Sequence, residues 1–267
     1  MVHGEWVLWG KGGWPQYDGA ISGIIVTGIQ GKGHGVMSII LYELVGADPA
    51  RPFSPHCWKT RMALAHKGLA FETSPVPFTE VPKIEDGFAT IVPVIRDGER
   101  RIADSFVIAE YLDTAYPDRP TLFGGEGGRV LSRFVESWSQ RTIHPFVSTS
   151  RALLAIHDSL AAPDRAYFRE TREKVFGQPL EDVVVGDEAR LEEFRKKLTP
   201  LRALLEKQMF LGGEAPLFAD YIVFGAFQWL RVVTPWEVLA ADDVVAAWFE
   251  RCLDLHGGEG RKVSRAA

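Results

Sequence analysis

The sequence predicts an α/β domain followed by an all-helical domain, and three regions carry this prediction. In the first region, strands at Ile39–Leu44 and Leu69–Phe78 flank a helix from Pro55 to about Lys67. The second region is a hairpin followed by a helix, and the third shows only helical periodicity. Because a strand–helix–strand unit followed by a hairpin and a helix is the thioredoxin-like arrangement, we expect that fold in the N-terminal half.

The helix of the first region has clear signals at both ends. Ser54 is a preferred N-cap residue, and Pro55 suits the first helical position. Gly68 follows the helix and supplies a left-handed C-cap. The unpaired amides of the first turn and the positive end of the helix dipole meet beside the Ser54 hydroxyl, so this helix start favours an anion.

The hairpin of the second region pairs Ile91–Ile95 with Arg100–Ala103 across an Asp-Gly turn. Pro93 cannot donate a ladder hydrogen bond, so we expect an edge position or a cis peptide bond there. Asp104 and Ser105 then cap the helix that completes this domain.

These signals divide the chain into five parts. Residues 1–36 are rich in glycine without a persistent period, and we expect them to lie outside the fold. Residues 37–115 form the thioredoxin-like domain, residues 116–128 a linker, residues 129–255 an all-helical domain, and residues 256–267 a flexible tail. The helices of the second domain are predicted near Arg129–Val147, Thr149–Ser159, Pro163–Phe176, Asp187–Met209, Ala219–Val233 and Asp242–Leu255.

Composition excludes several classes of function. The net charge of -5 provides no basic footprint, so we expect no nucleic-acid partner. The apolar stretch Ile21–Ile29 is too short to span a bilayer, so we expect no membrane segment. Cys57 and Cys252 are too few for a disulfide framework, which predicts a reducing compartment and, by default, the cytosol. No spacing of His, Cys, Asp and Glu resembles a metal site.

The residues at these helix and strand ends resemble the motifs of the glutathione transferase superfamily. Val92-Pro93 resembles the family's Val-(cis)Pro pair, and Asp104-Ser105 resembles its acidic-Ser motif at a helix start. Ser54 lies where the family keeps the residue that activates the thiol. This resemblance implies the glutathione transferase fold, glutathione as co-substrate and a homodimer.

The resemblance narrows to the beta-etherase-like branch, which includes bacterial lignin beta-aryl-ether-cleaving enzymes and fungal relatives. Three stretches carry it, namely Ser54–Arg61 with Ala65–Gly68, Tyr111–Pro120, and Asp164–Val183. The branch implies that a glutathione thiolate attacks an aliphatic carbon bearing an aryl ether and displaces a phenolate. Two alternatives stay open, namely general conjugation of electrophilic xenobiotics and non-catalytic binding of aromatic metabolites.

The resemblance also implies roles for individual residues at the glutathione site. A serine hydroxyl does not ionise usefully at neutral pH, so Ser54 is expected to donate a hydrogen bond to the thiolate rather than attack. An alternative is that Ser54 is only an N-cap. In the Ser54-x-x-Cys57 pattern the attacking cysteine of a redox motif is replaced, so we expect no redox role for Cys57.

The remaining glutathione contacts are expected at Val92, Pro93, Asp104, Ser105 and Lys83. Val92 offers main-chain atoms to the peptide part, because a cis bond at Pro93 turns its backbone outward. Asp104 and Ser105 suit the two charges of the γ-glutamyl end, and simple capping is the alternative. Lys83 is a candidate for the glycyl carboxylate, and a solvated surface lysine is the alternative.

The acceptor pocket is expected between the two domains, facing Ser54, as ligand pockets often lie at domain interfaces. Trp138, His144, Phe146 and Tyr167 are the candidate lining residues, and a small aromatic substrate is the expected partner. Aromatic residues at helical spacing also occur in helix cores, so that alternative stays open.

Overall fold

The computed structural model describes residues 38–184 and 186–267, so the prediction for residues 1–36 lies outside the described residues. A four-stranded mixed sheet forms the N-terminal half, with the order β2-β1-β3-β4. The strands are β1 (Ile39–Leu44), β2 (Phe71–Val76), β3 (Val94–Asp97) and β4 (Arg100–Ala103). β1 runs parallel to β2 and antiparallel to β3, and β3 pairs antiparallel with β4.

Two helices, α1 (Pro55–His66) and α2 (Ser105–Ala115), pack against each other in this half of the chain. Gly68 follows α1 with a φ of 62°, as its C-cap role predicts. A 3-10 segment, Phe78–Asp86, lies between β2 and β3. β3 begins at Val94, later than predicted, because the proline before it cannot join the ladder.

The C-terminal half is helical, and the thioredoxin-like plus all-α fold class is thereby confirmed. Its helices are α3 (Glu126–Ser148), α4 (Ala152–Ser159), α5 (Ala162–Phe176), α6 (Leu180–Val183), α7 (Asp187–Lys197), α8 (Thr199–Leu205), α9 (Phe218–Val233) and α10 (Val244–Gly258), followed by a 3-10 turn at Glu259–Lys262. The single helix predicted over Asp187–Met209 is two helices. Pro200 lies in the first turn of α8, where it lacks the N–H that would continue α7.

The segment 256–267 differs from the flexible tail that its composition predicts. It folds back along α9, whose Gln228 Nε2 donates to the Gly260 carbonyl at 2.7 Å and whose Arg231 Nη1 donates to the Val263 carbonyl at 2.8 Å. The Val263 side chain is buried. Polar side chains of α9 thus satisfy backbone groups of the last residues, a long-range effect that local composition does not reveal.

The two halves meet most closely where α9 crosses the first turn of α1. Gly225 of α9 lies against the carbonyl group of Pro55, and a Cβ at position 225 would be 2.4 Å from that oxygen. No ordinary contact is that short, so only glycine allows the two backbones to approach this closely. The start of α1 is therefore fixed from the side of the helical domain.

We expect Gly225→Ala to lower the free energy of unfolding by about 1–3 kcal/mol, the usual cost of overpacking a core. Urea denaturation monitored by circular dichroism measures this change. Gly127→Ala is the matched control, since a Cβ at that position of α3 meets nothing within 4 Å. Equal stability of the two variants would show that the contact between α9 and α1 is not tight.

Candidate functional site

Ser54 caps α1 and is 4% exposed. Its Oγ accepts a hydrogen bond from the Cys57 amide at 3.4 Å, which confirms the capping interaction. A hydroxyl has two acceptor lone pairs and one donor, and the cap uses only an acceptor. Among the residues that the structure describes, none accepts a hydrogen bond from the Ser54 hydroxyl. Capping and donation to a bound thiolate are therefore compatible.

The sheet register brings the predicted glutathione residues to the same end of the sheet as Ser54. The Phe53 amide donates to the Leu44 carbonyl at 3.2 Å, so the loop before α1 stays beside the end of β1. Val94 pairs with Tyr42 near that end of β1 and with Ala103 at the end of β4. The residues just before β3 and just after β4 consequently lie near the start of α1.

The Val92-Pro93 peptide bond is cis, as one of the two predicted alternatives requires. Asp104 is the N-cap of α2, and its Oδ1 accepts from the amides of Phe106 at 2.8 Å and Val107 at 3.0 Å. Ser105 follows as a buried residue of the first helical turn. The capping role of Asp104 is thus observed, and glutathione contacts at these positions stay a prediction.

Lys83 lies in the 3-10 segment, away from the helix starts. Its side chain is 69% exposed, and its Nζ pairs with Glu80 at 2.7 Å. This is the geometry of a solvated surface pair, and within the described residues no contact directs the Lys83 side chain toward the other predicted glutathione residues.

A cavity of about 140 Å³ opens beside Ser54 and is lined by residues of both halves. Its wall is mainly apolar, with Phe53, Phe78, Leu153, Ile156, Phe168 and Phe176. Its polar groups include those of His56, His144, Arg172 and Trp229. An apolar cavity of roughly 150 Å³ can bind benzene, so this cavity is large enough for one aromatic ring.

Only one of the four predicted acceptor residues, His144, lines this cavity. Phe146 instead stacks on Phe194, with ring centroids 4.0 Å apart, because side chains two positions apart point to different faces of α3. Tyr167 packs toward Phe78 with centroids 6.5 Å apart, and Trp138 packs on the core. These three side chains pack in the core or against residues beside the cavity, in line with the alternative that aromatic residues at helical spacing belong to helix cores.

One face of α5 lines the cavity and was not predicted from the sequence. Phe168, Arg172 and Phe176 are spaced by four residues and line the cavity together. Their four-residue spacing is the sequence pattern that would have predicted a shared helix face. Trp229 of α9 was also missed, and the sequence offers no comparable signal for it because α9 is almost entirely apolar.

A pair of histidines faces the cavity next to Ser54. The rings of His56 and His144 have centroids 5.3 Å apart. Burial, with the nearby Lys59 ammonium, holds the pKa of both imidazoles well below the usual value, so both are neutral at physiological pH. His56 is half-buried and lines the cavity.

Cys57 is fully buried in α1. Burial, followed by the nearby Glu43 carboxylate, raises the pKa of the Cys57 thiol to about 12. A thiol that stays protonated at neutral pH is a poor nucleophile, so the structure supports a packing role for Cys57.

The described residues contain neither a group of possible metal ligands nor a candidate membrane-spanning helix. Within residues 38–184 and 186–267, no three His, Cys, Asp or Glu side chains are grouped as metal ligands would be. No helix in these ranges is long and apolar enough to cross a membrane.

The structure thus combines a thioredoxin-like sheet, a cis-proline loop and a capped start of α1 with an all-helical second half. Two family models match the sequence, the glutathione S-transferase N-terminal domain over residues 53–115 and the glutathione S-transferase C-terminal domain over residues 130–255. Together they span more than half of the chain. The chain belongs to the glutathione transferase superfamily, and glutathione is its co-substrate.

Relatives with curated sequences agree with this assignment. The glutathione S-transferase-like protein ustS of Aspergillus flavus is 25% identical over 209 residues, which cover 67% of this chain and 75% of that protein. Mouse glutathione S-transferase omega-1 is 24% identical over 199 residues, covering 73% of this chain and 71% of that protein.

Solved structures share the fold. Glutathione transferase GSTFuA3 from Phanerochaete chrysosporium is 28% identical with a TM-score of 0.66, covering 86% of this chain and 95% of that one. The glutathione S-transferase CsGST63524 of Ceriporiopsis subvermispora, in complex with glutathione, is 26% identical with a TM-score of 0.66. The match covers 85% of this chain and 94% of that one.

Proposed function

We propose that this transferase cleaves beta-aryl ethers of lignin-type aromatics, with Ser54 stabilising the attacking glutathione thiolate. One observation carries the proposal. The Ser54 hydroxyl lines a cavity that is mainly apolar and wide enough for one aromatic ring. The resemblance of Ser54–Arg61 and Asp164–Val183 to the beta-etherase-like branch favours an aryl ether over other electrophiles.

The proposed chemistry follows from the acidity of the glutathione thiol and of the leaving phenol. A free thiol with a pKa of about 8.5 is only a few per cent ionised at neutral pH. The Ser54 O–H and the amides at the start of α1 favour the thiolate and so raise its population. Sulfur forms a bond to the carbon, the carbon–oxygen bond breaks, and the phenolate leaves and takes up a proton from water.

The glutathione contacts predicted from the sequence belong to the same proposal. Val92 and Pro93 at the cis bond, and Asp104 and Ser105 at the start of α2, lie at the end of the sheet where α1 begins. This juxtaposition supports a glutathione molecule that spans the two helix starts with its sulfur at Ser54. Lys83 has no such support.

Ser54→Ala is expected to lower kcat/KM at neutral pH by roughly 10²-fold, since removing one donor to a developing anion usually costs that much. The pKa of the bound glutathione thiol should rise by about one unit. Steady-state kinetics and the ultraviolet absorbance of the thiolate measure the two effects. Ser139→Ala, at another buried serine outside the cavity, is the control and should leave both unchanged.

Incubation with glutathione and a beta-aryl-ether model compound should release a phenol and leave a glutathione thioether in equal amounts, which chromatography quantifies. Turnover of aryl halides or isothiocyanates without any ether cleavage would instead identify a general conjugating transferase. Saturable binding of phenols without turnover of any electrophile would identify a non-catalytic binder.

We also propose a homodimer. Support comes from apolar side chains of α3 that are exposed in the single chain, since Phe134 is 68% exposed and Val130, one turn away, is 58% exposed. Neighbouring exposed apolar side chains of this kind mark protein interfaces.

Phe134→Glu is expected to shift the protein from dimer to monomer, because a carboxylate would lose its hydration in an apolar contact. Light scattering during size-exclusion chromatography measures the mass. Leu204→Glu is a matched control at an exposed leucine of α8 and should not change the mass. A wild-type chain that elutes as a monomer would rule out the dimer.

A cytosolic location completes the proposal. Both cysteines of the chain, Cys57 and Cys252, are free and buried, as suits a protein of a reducing compartment. Fractionation of cells that produce the full chain tests the location.

A further inference from the structure

Arg172 is a cation in the wall of the cavity beside Ser54. It lies on α5, and its guanidinium carbon is 4.7 Å from the ring centroid of Phe168 and 5.7 Å from that of Phe78. Two aromatic rings therefore flank the guanidinium group and restrict its orientation.

The hydrogen-bonding capacity of Arg172 is largely unused by the described part of the chain. Its Nη1 donates to Thr171 Oγ1 at 3.1 Å, although a guanidinium has five N–H donors. No carboxylate of residues 38–184 and 186–267 forms an ion pair with it. By contrast, Arg169 on the same helix pairs with Glu173 at 2.7 Å and Glu181 at 2.8 Å.

Arg172 nevertheless stays charged. Burial lowers the pKa of its guanidinium to about 10, although the nearby Tyr167 phenol acts in the opposite direction and raises this pKa. That pKa is still well above neutral pH, so the cavity holds a positive charge that has lost part of its hydration. Such a charge is stabilised by an anionic partner.

A planar guanidinium binds a carboxylate through two parallel hydrogen bonds, and the space beside it accepts one aromatic ring. We propose that Arg172 makes the cavity selective for aromatic carboxylates, so that the acceptor carries a carboxylate on the ring that enters the cavity. This inference deepens the proposed function and rests on it, in that it takes the cavity as the acceptor site.

The test compares the binding of benzoate with that of benzamide, a neutral molecule of nearly the same shape, by titration calorimetry on the full chain. Hydrogen bonds to a charged group predict that the wild type binds benzoate at least about tenfold more tightly. Arg172→Gln should abolish this preference while benzamide affinity stays within about twofold. Arg172→Lys, which keeps the charge without the planar fork, should retain part of it.

Lys174→Gln is the matched control, because it removes one positive charge from an exposed position of the same helix that does not line the cavity. It should leave the preference for benzoate unchanged. Thermal unfolding of each variant checks that it is folded, and the wild-type comparison alone decides the proposal if Arg172→Gln does not fold.

Several outcomes would overturn the proposal. One is a wild type that shows no measurable benzoate binding, or no preference for benzoate over benzamide. Another is an Arg172→Gln chain that loses affinity for benzoate and benzamide equally. A third is an Arg172→Gln chain that loses as much affinity for glutathione as it loses for benzoate. The last outcome would place Arg172 in the glutathione site. Since phenol release is not measured, failure of ether cleavage and failure of this selectivity are separate results.

Discussion

The close approach of α9 to the first turn of α1 holds the start of that helix between the two halves of the molecule. Gly225 meets the Pro55 carbonyl directly, and on the other side the Phe53 amide bonds to the end of β1. The Trp58 indole N–H also donates to the Pro52 carbonyl at 3.0 Å. Ser54 is thus fixed at a helix start that contacts both domains and lies beside the apolar cavity.

The electrostatics around Ser54 favour anions. The dipole of α1 and its first amides provide positive potential, and burial keeps His56 and His144 neutral. Lys59 is paired with Glu136 at 3.0 Å, whereas Arg172 faces the cavity without a carboxylate among the described residues. A thiolate and an anionic acceptor would therefore be held by different groups, the helix start and α5.

Local signals in the sequence predicted the fold and the helix starts well, because each depends on adjacent residues. Ser54 caps α1, and the Val92-Pro93 bond is cis, which is one of the two alternatives that the position of Pro93 in an apolar run predicted. The cavity wall depends on which helix faces meet, and Phe146 was assigned to it as an aromatic residue of the first helix after the linker. The order of residues 256–267 likewise comes from bonds to α9, which no local pattern records.

A crystal structure of the full chain with glutathione tests the central claim most directly, because it locates the sulfur. The account predicts the sulfur within hydrogen-bond distance of Ser54 Oγ, facing the cavity, with the peptide part of glutathione along Val92 and its γ-glutamyl end at the start of α2. Sulfur placed away from Ser54, with this hydroxyl engaged only in the helix cap, would contradict it.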